Sequence, residues 1–268
     1  MQNIICFVSD FGLDDTWVGV CHAVIHQACP QARVVDLGHQ ISPFDIRKGA
    51  AVAAAGVYQL PDAIHLAVVD PGVGGGRENL CIVTKGGTRL VGPDNGVLIP
   101  AARRGGGIAD VFGIEPAKLD FRTPLPTFHA RDVLAPAAAA LACGVDPGVL
   151  GVRLDEATLM PAPFGPCTRE GAVISAEVVD VDRFGSVRIA ITSDDLDESG
   201  VNDGFIDLSF GHLSLDVPFG LTFSDVADGD PVALIDSSGW LTLAVRTGSA
   251  AERYGIEPGS VARVRIHP

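Results

Sequence analysis

The chain has 268 residues, a formal charge of −14 and a sequence pI of about 4.7, with 47% hydrophobic residues and a mean hydropathy of +0.31. That length fits one large or two modest domains with a buried core, and the apolar content argues against a disordered chain. Nineteen Lys and Arg against 33 Asp and Glu argue against a nucleic-acid partner, because phosphate binding needs clustered cations.

The first predicted strand, Ile4 to Val8, ends in Ser9-Asp10-Phe11-Gly12, which puts a carboxylate at a strand terminus. A helix follows from Asp14, Asp15 and Thr16, which offer a cap and first-turn acids, to about Gln27, where Cys29-Pro30 stops it. His22 and His26 share a face of that helix, with Cys21 and Cys29 nearby, so a metal site is considered. The Glu of a His-Glu-x-x-His motif is missing and no further ligand cluster is visible, so no metal is expected. The six cysteines, at 6, 21, 29, 81, 143 and 167, include no Cys-x-x-Cys pair and imply no disulfide framework. Most of them are expected as buried free thiols in a reducing, cytoplasmic compartment. The N-terminus lacks the pattern of a signal peptide, and no apolar stretch is suited to spanning a bilayer, so no membrane association is expected.

Val34 to Leu37 is the next strand, and Ser42-Pro43-Phe44-Asp45 leads into an Ala-rich helix from Ile46 to about Tyr58. The apolar run Ile64 to Val69 then reads as a strand buried on both faces. It ends at Asp70, and Pro71-Gly72-Val73-Gly74-Gly75-Gly76-Arg77 follows. Strand and helix alternate through this third, which predicts βαβ units and a mostly parallel sheet. Ligands bind such sheets at the carboxyl ends of strands, where Asp10 and Asp70 both fall. The glycine loop fits neither the dinucleotide fingerprint nor a phosphate loop. Arg77 can form a charge-assisted pair with Asp70, although a solvated turn with a surface ion pair fits the spacing as well.

Further strands are predicted over Leu80 to Thr84 and Arg89 to Val91, joined by Lys85-Gly86-Gly87, with a polar turn at Gly92-Pro93-Asp94-Asn95-Gly96. Thr127-Phe128-His129-Ala130-Arg131-Asp132 opens a helix running from Val133 to Cys143. His129 falls at its start, where the helix dipole and a nearby Arg favour a neutral imidazole. The pattern divides into an α/β domain over 1–158, a Pro-rich linker over 159–171 and an all-β barrel domain over 172–268. Strands in the last part are expected at Ala172 to Val179, Val187 to Ile191, Phe205 to Leu208, Val232 to Ile235, Leu241 to Val245 and Val261 to Ile266.

These motifs, taken in order with Phe184-Gly185 and Asp236-Ser237-Ser238-Gly239-Trp240, resemble the S-adenosyl-L-methionine (SAM) hydroxide adenosyltransferases, hydrolases related to fluorinase and chlorinase. The resemblance runs nearly end to end. It implies an α/β domain followed by a β-barrel, and a homotrimer that binds SAM between the N-domain of one subunit and the C-domain of its neighbour. It implies that water attacks the 5′ carbon of SAM to give adenosine and methionine, with SAM as substrate and no cofactor. The family's catalytic Asp, Arg and His fall on Asp70, Arg77 and His129. Substrate-binding positions fall on Asp10, toward the ribose hydroxyls, Phe44 as an apolar wall and Phe223 as the adenine-stacking aromatic. At the methionine end they fall on Asp182, Ser186, Ser237 and Arg246, with Ser186 and Arg246 standing where the family usually has Asn. The halogenase relatives carry Tyr in place of Asp70, Ser in place of Ala130 and an insertion, none of which is present here. Two other readings are a SAM- or adenosine-binding protein without turnover and a SAM-dependent halogenase.

Overall fold

The computed structural model describes residues 3–119, 121–197 and 204–266. The chain divides into two compact units, Met1–Pro163 and Phe164–Pro268. The division falls within the Pro-rich stretch expected as a linker.

The first unit is built on seven strands: β1 (Ile4–Ser9), β2 (Arg33–Gly38), β3 (Ile64–Val68), β4 (Asn79–Thr84), β5 (Arg89–Pro93), β6 (Ile108–Ile114) and β7 (Gly151–Arg153). Its helices are α1 (Trp17–Ala28), α2 (Ile46–Gln59), α3 (Ile99–Arg104) and α4 (Ala135–Ala142). The sheet runs β2-β1-β3-β5-β4-β6-β7. The β1–β2, β1–β3 and β3–β5 pairs are parallel, whereas β4–β5, β4–β6 and β6–β7 are antiparallel. The expectation of a mostly parallel sheet is therefore corrected to a mixed one. Parallel neighbours require long crossovers, which α1 and α2 supply for β1, β2 and β3 and the loop with β4 supplies between β3 and β5, while the short Lys85-Gly86-Gly87 connection forces β4 and β5 into an antiparallel hairpin.

Every residue of β3 is buried, as a central strand covered on both faces requires. Ile64, Leu66 and Val68 join the core formed with α1 and α4, which also contains Phe7, Ile25, Val133 and Leu134. The alternate face of the strand meets α2. A Cβ on Gly49 would lie 2.7 Å from Val69 Cγ2, and one on Gly56 would lie 3.1 Å from His65 Nδ1. Only glycine lets α2 sit this close to the strand that delivers Asp70. At the start of α2 the Asp45 carboxylate accepts the Lys48 N–H at 2.9 Å, the cap the sequence anticipates. α1 differs, since Thr16 is its N-cap without a side-chain cap bond and no acid lies in its first turn.

Cys29 and Cys143, at the C-terminal ends of α1 and α4, form a disulfide, where the sequence implied no disulfide framework. The two helices pack side by side and bring the Cα atoms to 5.8 Å, a separation that 113 intervening residues conceal. Cys6, Cys21 and Cys81 are buried free thiols. Burial pushes Cys6 up to about 11 and Cys21 and Cys81 up to about 12, so none is a ready nucleophile.

The second unit contains β8 (Thr168–Glu170), β9 (Val173–Val181), β10 (Val187–Ile189), β11 (Phe205–Phe210), β12 (Leu213–Pro218), β13 (Pro231–Ile235), β14 (Leu241–Val245) and β15 (Val261–Ile266). Two five-residue helices, α5 (Ser193–Asp197) and α6 (Ala250–Tyr254), join them. The order is β12-β11-β15-β9-β10-β14-β13, with β8 beside β9. All named pairings are antiparallel. A Phe219–Ala233 bridge brings the two ends together, so the sheet is a nearly closed barrel. Among the described residues no helix is long and apolar enough to cross a membrane.

Candidate active site

β1 and β3 run in parallel register, with Ser9 opposite Val68, so their carboxyl ends lie side by side. Asp10 and Asp70 follow those ends and line one cleft of about 810 Å³, together with Phe11, Trp17, Phe44, Phe128, His129 and Ala130. This is the crevice position typical of sheets with parallel strands. It is mostly apolar with a few converging polar groups, as small-molecule sites are.

The loop after Asp70 turns back so that Arg77 meets the carboxylate. Arg77 Nε donates to Asp70 Oδ1 at 2.8 Å and Nη2 pairs with Oδ2. The Asp70 and Arg77 side chains are 6% and 11% exposed, so this bidentate pair is largely withdrawn from water and is not a solvated surface contact. Gly74, at φ +78°, makes the turn possible: a Cβ there would also lie 2.5 Å from the Pro126 carbonyl oxygen. The glycine loop thus rests on the 124–132 segment, which carries His129.

That segment is fixed by Asp132, whose side chain is fully buried. Its carboxylate accepts the Leu125 N–H at 2.9 Å and two Arg131 donors at 2.7 Å each. Burial alone would raise the Asp132 carboxyl, but the Arg131 hydrogen bond, the Leu125 N–H and the charges of Arg131 and Arg122 prevail and hold it below the usual range. His129 caps a π-helical turn, Ala130–Leu134, which widens just before Pro136 enters α4. Such turns are frequent at functional sites.

His129 Nδ1 lies 3.4 Å from Arg77 Nη2 and 3.4 Å from Asn79 Nδ2. Both neighbours are donors, so Nδ1 is the acceptor and the neutral ring carries its proton on Nε2. Burial and the Arg77 charge lower the His129 pKa, against smaller opposing effects of Asp70 and Asp132. The imidazole is therefore neutral at physiological pH. Sequence reasoning missed Asn79, a buried residue that accepts Arg77 Nη1 at 2.6 Å and connects the guanidinium to the imidazole. Its one sequence signal is a polar residue opening an otherwise apolar strand, two positions after Arg77. The Gly92–Gly96 turn serves the same end of the sheet, because Asn95 Nδ2 donates to the Val69 carbonyl at 2.8 Å, immediately before Asp70.

Asp10 Oδ2 accepts the Phe44 N–H at 2.8 Å, which holds Phe44 at φ +71° with the residue 70% exposed. A non-glycine residue in this region is strained and needs such support. The other described non-glycine residue at positive φ is Thr247, at φ +58°. It lines a separate cleft of about 510 Å³ in the second unit. That cleft gathers Asp182, Ser186, Phe223 and Arg246, four of the expected binding residues. Asp182 Oδ1 accepts the backbone N–H groups of Phe184 and Ser186, at 2.8 and 2.9 Å, leaving Oδ2 with Arg188 3.8 Å away. Arg246 is tied to the Val226 carbonyl at 2.7 Å and to Asp228 at 2.8 Å. Ser237 is exposed in the turn after β13 and is not among the residues lining this cleft. The structure thus places the expected residues at two clefts, one in each unit, with Arg77 joined to the first through Asp70 and Ser237 in neither lining.

The architecture and the two clefts define a two-domain protein with a candidate small-molecule site at the strand ends of its first sheet. Profiles of the SAM hydroxide adenosyltransferase N-terminal and C-terminal domains match residues 5–151 and 176–263, and the chain belongs to that family. Its relatives include proteins named (R)-S-adenosyl-L-methionine hydrolase. The one from Salinispora tropica is 38% identical over 97% of each chain, and the one from Thermus thermophilus is 39% identical over 96% of this chain and 98% of the relative. A protein named fluorinase from Actinoplanes sp. matches at 28% identity over 97% of each chain. The crystal structure of an uncharacterized conserved protein from Thermotoga maritima superposes with a TM-score of 0.87 at 33% identity, covering 97% of this chain and 99% of that one.

Proposed function

We propose that this chain hydrolyses SAM to adenosine and L-methionine; relatives matched over nearly their whole length are named (R)-S-adenosyl-L-methionine hydrolase. The observation that carries the reading is the meeting of Asp70 and Arg77, from one glycine loop, with His129, from a distant stretch of chain, with Asp70 and His129 both lining the cleft. Water attacks the 5′ carbon of SAM, the carbon–sulfur bond breaks, and methionine leaves as a neutral thioether. The leaving group needs no acid, and the sulfonium is already activated. The site has only to align water opposite the sulfur and accept the proton that water loses. Asp70 accepts a hydrogen bond from that water and is the proton's first destination, Arg77 fixes the carboxylate, and neutral His129 donates through Nε2 to orient the water. No cofactor enters this scheme. Asp10 holds the ribose hydroxyls with its remaining oxygen, and Phe44 walls the cleft.

Adenosine stacks on Phe223 and the methionine end meets Asp182, Ser186, Ser237 and Arg246, contributed by a neighbouring subunit of a homotrimer. Exposed apolar side chains in or near the two clefts, Phe44, Phe184 and Leu221, are the kind of surface that assembly covers. A solution mass of three chains is expected by light scattering. Full activity at the mass of one chain would remove this part of the reading.

Incubation with SAM is expected to release adenosine and methionine in equal amounts. Added chloride should yield no 5′-halogenated nucleoside, in keeping with Asp70 and Ala130 standing where the halogenase relatives differ. Tight adenosine binding with no product would favour the non-catalytic reading instead. Asn79→Ala removes a hydrogen bond to the Arg77 guanidinium, a loss of about 1.5–3 kcal/mol for a bond to a charged group. If that bond acts on turnover, kcat drops roughly ten- to a hundredfold with little change in KM, as steady-state kinetics would show.

A further inference from the structure

His22 meets the His26 ring edge-on, with centroids 6.5 Å apart, but its Nε2 is directed elsewhere. It turns toward the edge strand β2, where its Nε2 lies 2.8 Å from Asp36 Oδ1, and His39 Nε2 approaches the same oxygen at 3.0 Å. The three ligand atoms lie within 4.8 Å of one another. A tetrahedral zinc site with bonds of 2.0–2.1 Å has ligand–ligand edges of about 3.3 Å, so the three are already near the spacing a metal imposes.

The electronic state of His39 supports this reading. The residue is 4% exposed and its buried Nε2, although 3.0 Å from Asp36, has no hydrogen-bond partner of acceptable direction. Its Nδ1 lies 2.7 Å from Ser9 Oγ. With Nδ1–H donating to that hydroxyl, Nε2 carries a lone pair and lies 3.0 Å from Asp36 Oδ1 and within 4.8 Å of the His22 ligand atom. This is how metal-binding histidines are commonly oriented by a partner behind them. Phe7 stacks edge-on against the His39 ring, with centroids 4.7 Å apart, and restricts its rotation.

We propose that His22, Asp36 and His39 form a binding site for a divalent transition metal of the zinc class, with water completing the coordination. Two imidazoles and one carboxylate match the ligand preference of such ions and leave an open position. The partly exposed His22 and Asp36 side chains give the ion a way in. The site lies behind the cleft wall: Ser9 precedes Asp10, and the His39 carbonyl accepts the Gly12 N–H at 2.7 Å. Metal binding therefore ties α1, β2 and the loop after β2 together beneath Asp10–Gly12.

The test is titration of untagged protein with Co²⁺, followed by its visible ligand-field absorption, with Zn²⁺ as competitor. His39 is buried, and its removal risks the fold, so the variants are His22→Ala and Asp36→Asn, with His26→Ala as control. The wild type and His26→Ala should bind one equivalent with four-coordinate intensity, and Zn²⁺ should displace it and raise the melting temperature. Each ligand variant should bind at least tenfold more weakly, and Ser9→Ala roughly ten- to a hundredfold more weakly through loss of the outer partner. Absence of four-coordinate absorption in the wild type, or unchanged affinity in both ligand variants, overturns the proposal.

Discussion

Replacing Asp70 lowers adenosine release from SAM by roughly 10²–10⁴-fold, the range for loss of a positioned proton acceptor. Two variants separate chemistry from folding. Asp70→Ala leaves the largely buried Arg77 guanidinium without its bidentate partner, and an uncompensated buried charge costs about 3–5 kcal/mol, so its melting temperature also drops. Asp70→Asn keeps the shape and one acceptor oxygen for Arg77 but removes the charge, so it should lose turnover to a similar degree with a smaller loss of stability. SAM affinity, measured by calorimetry, should change little in Asp70→Asn, because the role assigned to Asp70 is toward water. Turnover of Asp70→Asn within threefold of wild type would remove Asp70 from the mechanism.

The pH dependence of kcat should show an acid limb centred below 6.5 that vanishes in His129→Gln. The direction follows from the environment: burial and the Arg77 guanidinium both disfavour a second positive charge on the ring. Protonation would turn Nδ1 from an acceptor into a donor facing the donors of Arg77 and Asn79, and it would push the imidazole out of alignment. The rate is therefore flat above 6.5 and falls only as pH drops through the lowered value. Folding stability follows the same sign. The unfolded imidazole binds its proton more readily than the folded one, so this contribution is complete above 6.5 and declines below it. His129→Gln retains an amide that can donate to water, so its residual rate should be independent of pH over this range. An unchanged acid limb in that variant assigns the titration to another group.

The strand ends were the most legible feature of the chain. Apolar strands of the first unit lead into Asp10 and Asp70, and parallel register places both in one cleft because two helical crossovers separate the strands. The Asp70–Arg77 pair was legible as a possibility only. Spacing cannot distinguish a solvated turn from a withdrawn pair, and burial, which decides it, comes from the 124–132 segment folding over Gly74. Asn79 was not legible, since its role depends on Arg77 and His129 meeting across fifty residues. Nor was the His22 cluster, because helical spacing points to His26 while the partners that reach His22 lie on and just after a different element, β2. Strands β6, β7, β8 and β12 were missed: β6 includes Gly113, β7 and β8 span only three residues each, and in β12 the side-chain alternation is short and partly exposed.

Hydrolysis in ¹⁸O-enriched water tests most directly whether this cleft delivers water to the 5′ carbon. The account predicts adenosine carrying the label in its 5′ hydroxyl and unlabelled methionine, detected by mass spectrometry, with formation suppressed in Asp70→Asn. Adenosine without label, or label recovered in the amino acid, would contradict attack of water at that carbon.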